Sequence, residues 1–239
     1  AFELHRFLAP LSPEVAPALA DEIERVRAFV EAGAERPPYL WRAAAGAVAL
    51  GASARLAAEA ISNPPNVATS RIASLVGDCL ASSPDAFRAA LRLTTFRASV
   101  RREWLEAVVG ADELGAALFD GLGYGDPVRV HPSMRGEIRR SLLTRAHSDD
   151  VAAAHVCAAG VWARADGATS PRALGLSEAA AWVEKVHHLG QGGAATYAEW
   201  LAQAMPSPEF YWDAARTLSM KREYDAAAAL YRLCVEAFP

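Results

Sequence analysis

Fifty-four of the 239 residues are alanine, close to a quarter of the chain. Alanine is the strongest helix former, and its methyl side chain lets helices approach closely. This composition predicts a mostly α protein with tight helix contacts. Hydrophobic residues make up 52% and charged residues 22%, which fits a globular chain with a real core and excludes a disordered or fibrous one. The length suits one large domain or two to three small ones.

The basic residues are lopsided. Of 24, only Lys185 and Lys221 are lysine. A phosphate-cradling P-loop needs Gly-x-x-x-x-Gly-Lys followed by Ser or Thr, and neither lysine stands in one. The net charge of −4 gives no global basicity directed at nucleic acid. Cys79, Cys157 and Cys234 lie far apart in apolar, alanine-rich surroundings with no CxxC spacing. They predict buried, reduced thiols in a cytoplasmic protein. The uncharged apolar stretch from Ala43 to Ala54, bounded by Arg42 and Arg55, is too short to span a bilayer. Near Ala1 there is neither the basic segment nor the cleavage site of a signal peptide.

Punctuation and periodicity suggest three regions. Residues 1–82 predict a helical bundle. Ser12-Pro13-Glu14 opens a helix with Leu19, Ile23, Val26 and Val30 at helical spacing. Gly33 to Pro38 breaks the chain, Tyr39 to Ala60 is one helical run bent near Gly51, and Asn63-Pro64-Pro65-Asn66 stops it before a helix from Thr69 to Leu80. Residues 83–147 predict a helix that opens at Pro84 and carries Phe87, Ala90, Leu91 and Leu93, helices at 97–109 and 112–122, a turn-rich Gly121–Pro127, a strand at Val128–His131 and a helix from Pro132. That order is winged-helix-like, with one short β-hairpin. Residues 148–239 predict helices at 149–165, 177–190, 193–205, 208–220 and 223–237. The last pair fits the roughly 34-residue tetratricopeptide pattern, with Tyr211, Ala215, Ala227, Tyr231 and Cys234 at its packing positions and Pro239 closing it.

With those regions in place, the chain resembles the second half of the signal-transduction ATPases with numerous domains: lid bundle, winged helix, then repeats. Leu8-Ala9-Pro10-Leu11-Ser12-Pro13-Glu14-Val15 resembles the segment that opens the ATPase lid. Gly33-Ala34-Glu35-Arg36-Pro37 falls where that lid carries a Gly-x-Pro turn near the adenine, with a longer Gly-to-Pro spacing here. Val130-His131-Pro132 falls where the winged helix carries Met-His-Asp, with Val for Met and Pro for Asp. The resemblance implies that His131 senses an ADP phosphate, with Pro37 at the adenine. Arg135, one turn beyond His131, would suit the same phosphate, with a surface arginine as the plainer reading. It also implies that the P-loop core lies outside these residues. A chain without it cannot hold the phosphates and metal for transfer. The expectation is therefore a non-catalytic regulatory and sensor region, with no cofactor of its own and ADP or ATP only when a core is supplied. Its expected partner is another protein or the missing core.

The other candidate residues have plainer readings beside the functional ones. His131 also suits a hairpin end or a helix start. Arg97, Arg101, Arg102, Arg129, Arg135, Arg139 and Arg140 make 83–147 locally basic, which would suit contacts to DNA phosphates. The expected recognition helix, 112–122, carries Asp112, Glu113 and Asp120 and no arginine, which argues against a major-groove reader. His147-Ser148-Asp149-Asp150 with His155 matches no metal-site spacing and reads as a helix start with acids in its first turn. His187-His188 before Gly190-Gln191-Gly192-Gly193 reads as a turn between helices. Tyr211, Trp212 and Tyr224 are candidate protein-binding aromatics, with core packing as the alternative. A stand-alone repeat adaptor and a winged-helix DNA regulator are the competing functions.

Overall fold

The computed structural model describes residues 37–109, 123–124, 128–167, 178–204 and 207–239. The chain divides into two compact units, Ala1–His147 and Ser148–Pro239. The described residues hold eleven helices and one two-residue antiparallel ladder. The expected mostly α class is observed. The expected lid opening at 8–15, the turn at 33–36 and the helix at 112–122 lie outside the described residues.

In the first unit, α1 (Pro38–Ala49) and α2 (Ala54–Ile61) replace the single bent helix expected from Tyr39 to Ala60. The cause is Gly51, which takes φ +101°. Gly51 N–H donates to Val48 and Ala52 N–H to Ala47, both at 2.9 Å. This is the Schellman stop, whose left-handed position strongly favours glycine. Next, α3 (Pro65–Ala81) buries Ala68, Thr69, Ile72, Ala73, Val76, Gly77 and Leu80, a continuous stripe at helical spacing. Each fully buried Ile, Val or Leu there contributes about 1.5–3 kcal/mol. α4 (Pro84–Thr95) is capped by the Ser83 hydroxyl, which accepts from Ala86 N–H at 3.3 Å.

The helix expected from Arg97 starts only at Arg102, giving α5 (Arg102–Val109). The chain before it is claimed by a β-bridge: Val100 and Val128 exchange backbone hydrogen bonds of 3.0 and 2.8 Å. The strands β1 (Gly123–Tyr124) and β2 (Arg129–Val130) pair Gly123 with Val130 and Tyr124 with Arg129. α6 (Pro132–Leu143) then packs Met134, Ile138 and Leu142 inward, against α3 and α4. Gly77 permits the α3 contact, because a Cβ there would run into the Ser141 side chain. Arg145 bonds back to Gly77 O at 2.8 Å and to Asp78 at 2.6 Å. The stretches expected as lid bundle and winged helix thus belong to one compact unit.

In the second unit, α7 (Ser148–Gly167) packs on α8 (Glu178–Gln191), α8 on α9 (Tyr197–Ala204) and α10 (Pro208–Met220), and α10 on α11 (Tyr224–Ala237). A single cluster joins Trp182, Val183 and Val186 of α8 to Leu201, Tyr211, Ala214, Ala215 and Leu218, and on to Ala227, Leu230 and Cys234. The expected small positions Ala215 and Ala227 are at its centre. α8 ends in a second Schellman stop, with Gly193 at φ +80° and Ala194 N–H donating to Leu189 at 2.8 Å. The glycine run after His188 is therefore the end of a helix. Among the described residues, no helix is long and apolar enough to cross a membrane. Of the three thiols, all free, only Cys234 is buried; Cys79 and Cys157 are half-buried, short of the expected burial.

Candidate functional site

His131 sits where β2 gives way to α6, as the residue before the helix begins. Extended backbone at Arg129–Val130 and the fixed φ of Pro132 set that corner. Its imidazole lies flat against the Tyr39 ring, centroids 3.7 Å apart and planes 9° from parallel. Tyr39 is in the first turn of α1, two residues after Pro37. The Tyr39 hydroxyl is 3.3 Å from Thr69 Oγ1, whose own hydrogen goes to Pro65 O at 2.7 Å, so Tyr39 donates. Three helix starts are tied together in this way: those of α1, α3 and α6.

The His131 Nδ1 atom is buried with no hydrogen-bond partner. Burial holds the imidazole below its ordinary value of 6.5, so the ring is neutral at pH 7. A cleft of about 500 Å³ opens beside the stack, lined by Tyr39, Asn66, Thr69, Ser133, Glu137 and Arg140 among others. The residues before the three helices, Pro37, Pro64 and His131, make no side-chain cap bond. Residues from the first turns of the three helices, Tyr39, Asn66 and Ser133, line this one cleft, where helix dipoles present their positive ends. Glu137 and Arg140 pair across 2.6 Å within it, and Glu137 also accepts from Ser70 at 3.2 Å.

The sequence-derived residues divide clearly. Pro37 precedes α1 and His131 precedes α6, and the two helix starts meet through Tyr39. Tyr39 carries no motif; its place in the first turn of a Pro-initiated helix is the available signal. Arg135 points elsewhere, donating to Phe96 O at 2.6 Å beyond the end of α4. Arg139 donates to Thr95 Oγ1 at 2.7 Å, and burial, with the neighbouring Arg135 charge, lowers its pKa. Arg101 pairs with Glu103 and lies 5.6 Å over the Trp104 ring, and Arg102 pairs with Glu106. These arginines bind the protein's own surface and helix ends.

In the second unit, Tyr211 is 6% exposed and lies inside the core. That is the core-packing alternative of the two readings the sequence allows it. Trp212 is 57% and Tyr224 64% exposed. Trp212 meets Tyr231 edge to face at 4.7 Å. The two histidine segments read separately in the sequence come together: His155 of α7 and His188 of α8 are hydrogen-bonded, Nδ1 to Nδ1, at 3.0 Å. Glu184, one turn before His188, is buried and paired with Lys221. The signal for this cluster was the i, i+4 spacing of Glu184 and His188 on an otherwise apolar face. Among the described residues, no group of His, Cys, Asp and Glu is arranged to hold a metal ion. No protein-family model, curated protein or solved structure matches the chain.

Proposed function

We propose that the chain is the non-catalytic regulatory and protein-interaction region of a nucleotide-dependent signalling switch. The observation that carries this reading is the Tyr39–His131 stack. It couples the helix that follows the Pro37 turn to the residue occupying the phosphate-sensing position of the family the sequence resembles. A neutral imidazole beside three uncapped helix starts suits a sensor of phosphate charge: an anion there gains N–H donors and favourable dipoles. Nucleotide state then biases the corner by differential contact.

A winged-helix reading of 83–147 draws support from element order. Helix α4, the Val100 bridge, helix α5, and the β1–β2 pair follow in the sequence of that motif. In the second unit, the antiparallel α10–α11 pair, with Ala215 and Ala227 at its small positions, supports tetratricopeptide-like hairpins. Repeat pairs bury their remaining apolar faces against neighbours or partners. The exposed Trp212 and Tyr224 favour a second reading, a protein-binding adaptor that uses no nucleotide. The arginines bonded within the first unit weigh against a DNA regulator.

The test is the full native product, purified with and without H131A. The proposed function expects tight ADP binding weakened by H131A, and no ATP hydrolysis by residues 1–239 alone. A native product that binds no nucleotide, yet loses a protein partner on W212A, would establish the adaptor instead. Hydrolysis by residues 1–239 that persists through successive purification steps would overturn both.

A further inference from the structure

We propose that the His155–His188 pair is a pH-sensitive latch holding α7 on α8. Both rings are buried: His155 is 6% exposed and His188 fully buried. They meet Nδ1 to Nδ1 at 3.0 Å. A hydrogen bond between two nitrogens needs a proton on one and a lone pair on the other. Two neutral rings meet this condition, and so does one imidazolium facing one neutral ring. Two imidazolium rings do not, because both Nδ1 atoms then carry hydrogens and two positive charges face each other at 3.0 Å away from water.

The surroundings accommodate the first proton and oppose the second. Glu184 Oε2 lies 3.8 Å from His188 Nε2, and Glu184 is 1% exposed. A proton on His188 thus meets a buried carboxylate. That carboxylate also faces Lys221, from the turn between α10 and α11, so its charge is already matched. A further titratable neighbour is His187, whose ring is 6.2 Å from that of His155 and 5.2 Å from that of His188, and half-buried Cys157 follows His155 by two residues on α7. On the elements packed against α8, Asp149 of α7, Glu199 of α9, and Glu209, Asp213 and Arg216 of α10 are exposed, and Asp150 of α7 is half-buried.

Packing makes the contact decisive for the helix pair. Gly192, just past His188, takes Val156 of α7 so closely that a Cβ there would sit 3.0 Å from its methyl group. Both rings are buried beside this close contact. The second proton must be taken up by separating α7 from α8. An unfolded histidine titrates near pH 6.5, so below that pH the open form binds a proton that the closed pair refuses. For one withheld proton, the opening equilibrium shifts toward the open form tenfold per pH unit.

The experiment is hydrogen exchange of α7 and α8 in the whole chain between pH 7 and pH 5, corrected for the intrinsic pH dependence of exchange. The expected result is protection falling about tenfold per pH unit below about 6.5, with α10 and α11 less affected. His155→Gln keeps a hydrogen-bonding side chain that does not titrate, and its α7–α8 protection should lose this slope. His147→Gln, outside the pair, should keep it. Long-range ¹H–¹⁵N spectra of the wild-type rings give a reading that does not depend on the variant folding. Both rings protonated while α7 and α8 stay protected would overturn the latch, as would an unchanged slope in a folded H155Q.

Discussion

The Tyr39 ring and the His131 imidazole lie face to face, 3.7 Å between centroids, and join the start of α1 to the start of α6. The stack shields one face of the imidazole and leaves its Nδ1 buried. Burial is the cause of the lowered His131 pKa, so removing Tyr39 should return it upward. In Y39A, the His131 ring proton should titrate closer to 6.5 than in the wild type, read by one-dimensional proton spectra. The sign for stability follows. A base with a depressed folded pKa contributes stability that is whole above the unfolded value and lost as pH falls through that value toward the folded one. Y39A should flatten that part of the acid dependence of the first unit. An unchanged His131 titration in a folded Y39A would remove the stack as its cause.

Arg222 occupies the left-handed position after α10, at φ +62°. Glu223 N–H donates to Leu218 and Arg222 N–H to Ser219, each at 3.0 Å, which is the same Schellman geometry that Gly51 and Gly193 supply elsewhere. A side chain in that conformation costs about 1 kcal/mol or more. R222G should therefore stabilise the second unit by about 1 kcal/mol, and G51A should destabilise the first by about 1–2 kcal/mol through backbone strain alone. Gly51 has open space where the new methyl would go. Urea unfolding midpoints at constant slope check both signs.

These caps show what could be read from the sequence. Every described helix of the second unit was expected within a few residues, because Ser207-Pro208 and the Gly190–Gly193 run are strong local signals. The break at Gly51 was legible as a bend but not as a stop, since the choice rests on whether Ala52 N–H reaches Ala47. The extended stretch before Arg102 was not legible at all. Its pairing partner, Val128, is far along the chain, and no local pattern at Val100 announces it. The candidate corner was half legible: His131 and Pro37 were singled out, while Tyr39 was hidden because a contact between helix starts leaves no periodicity. Arg135 and Arg139 read as a basic patch because composition gives charge without direction. Their acceptors, Phe96 O and Thr95 Oγ1, belong to α4 and the residue after it, and only the tertiary fold brings them close.

Gly77 and Ser141 should couple. Alanine at 77 gains about 1 kcal/mol of intrinsic helix propensity, but its methyl would meet the Ser141 hydroxyl and lie 3.3 Å from Ser141 Cβ. Overpacking of this kind costs about 1–3 kcal/mol, so G77A should be net destabilising in the wild-type background. S141A removes the hydroxyl that is nearest. In that background G77A should become close to neutral, giving a coupling of about 1 kcal/mol in the double-mutant cycle. Additive effects would mean that α3 and α6 do not approach through Gly77.

The neighbours Tyr211 and Trp212 should separate stability from partner binding. Tyr211 is buried in the α8–α10–α11 cluster and meets Phe238 edge to face at 5.9 Å. Burial, with Cys234 adding a smaller contribution, raises its phenol pKa, so the hydroxyl stays neutral well beyond physiological pH. Truncation to alanine should cost about 3–5 kcal/mol, the range for a large aromatic removed from a core. Trp212, the next residue of the same helix, is exposed and touches Tyr231 edge to face. W212A loses about 0.5–1.5 kcal/mol from that ring contact and leaves the core intact. Tyr224 is more exposed still, and Y224A should unfold at nearly the wild-type midpoint. If the second unit docks a protein, both variants should weaken the complex, Y224A while melting nearly as the wild type does and W212A at a far smaller loss of stability than Y211A. Thermal melts and pull-downs on the same three variants distinguish the roles. A Y211A protein as stable as W212A would place Tyr211 outside the core.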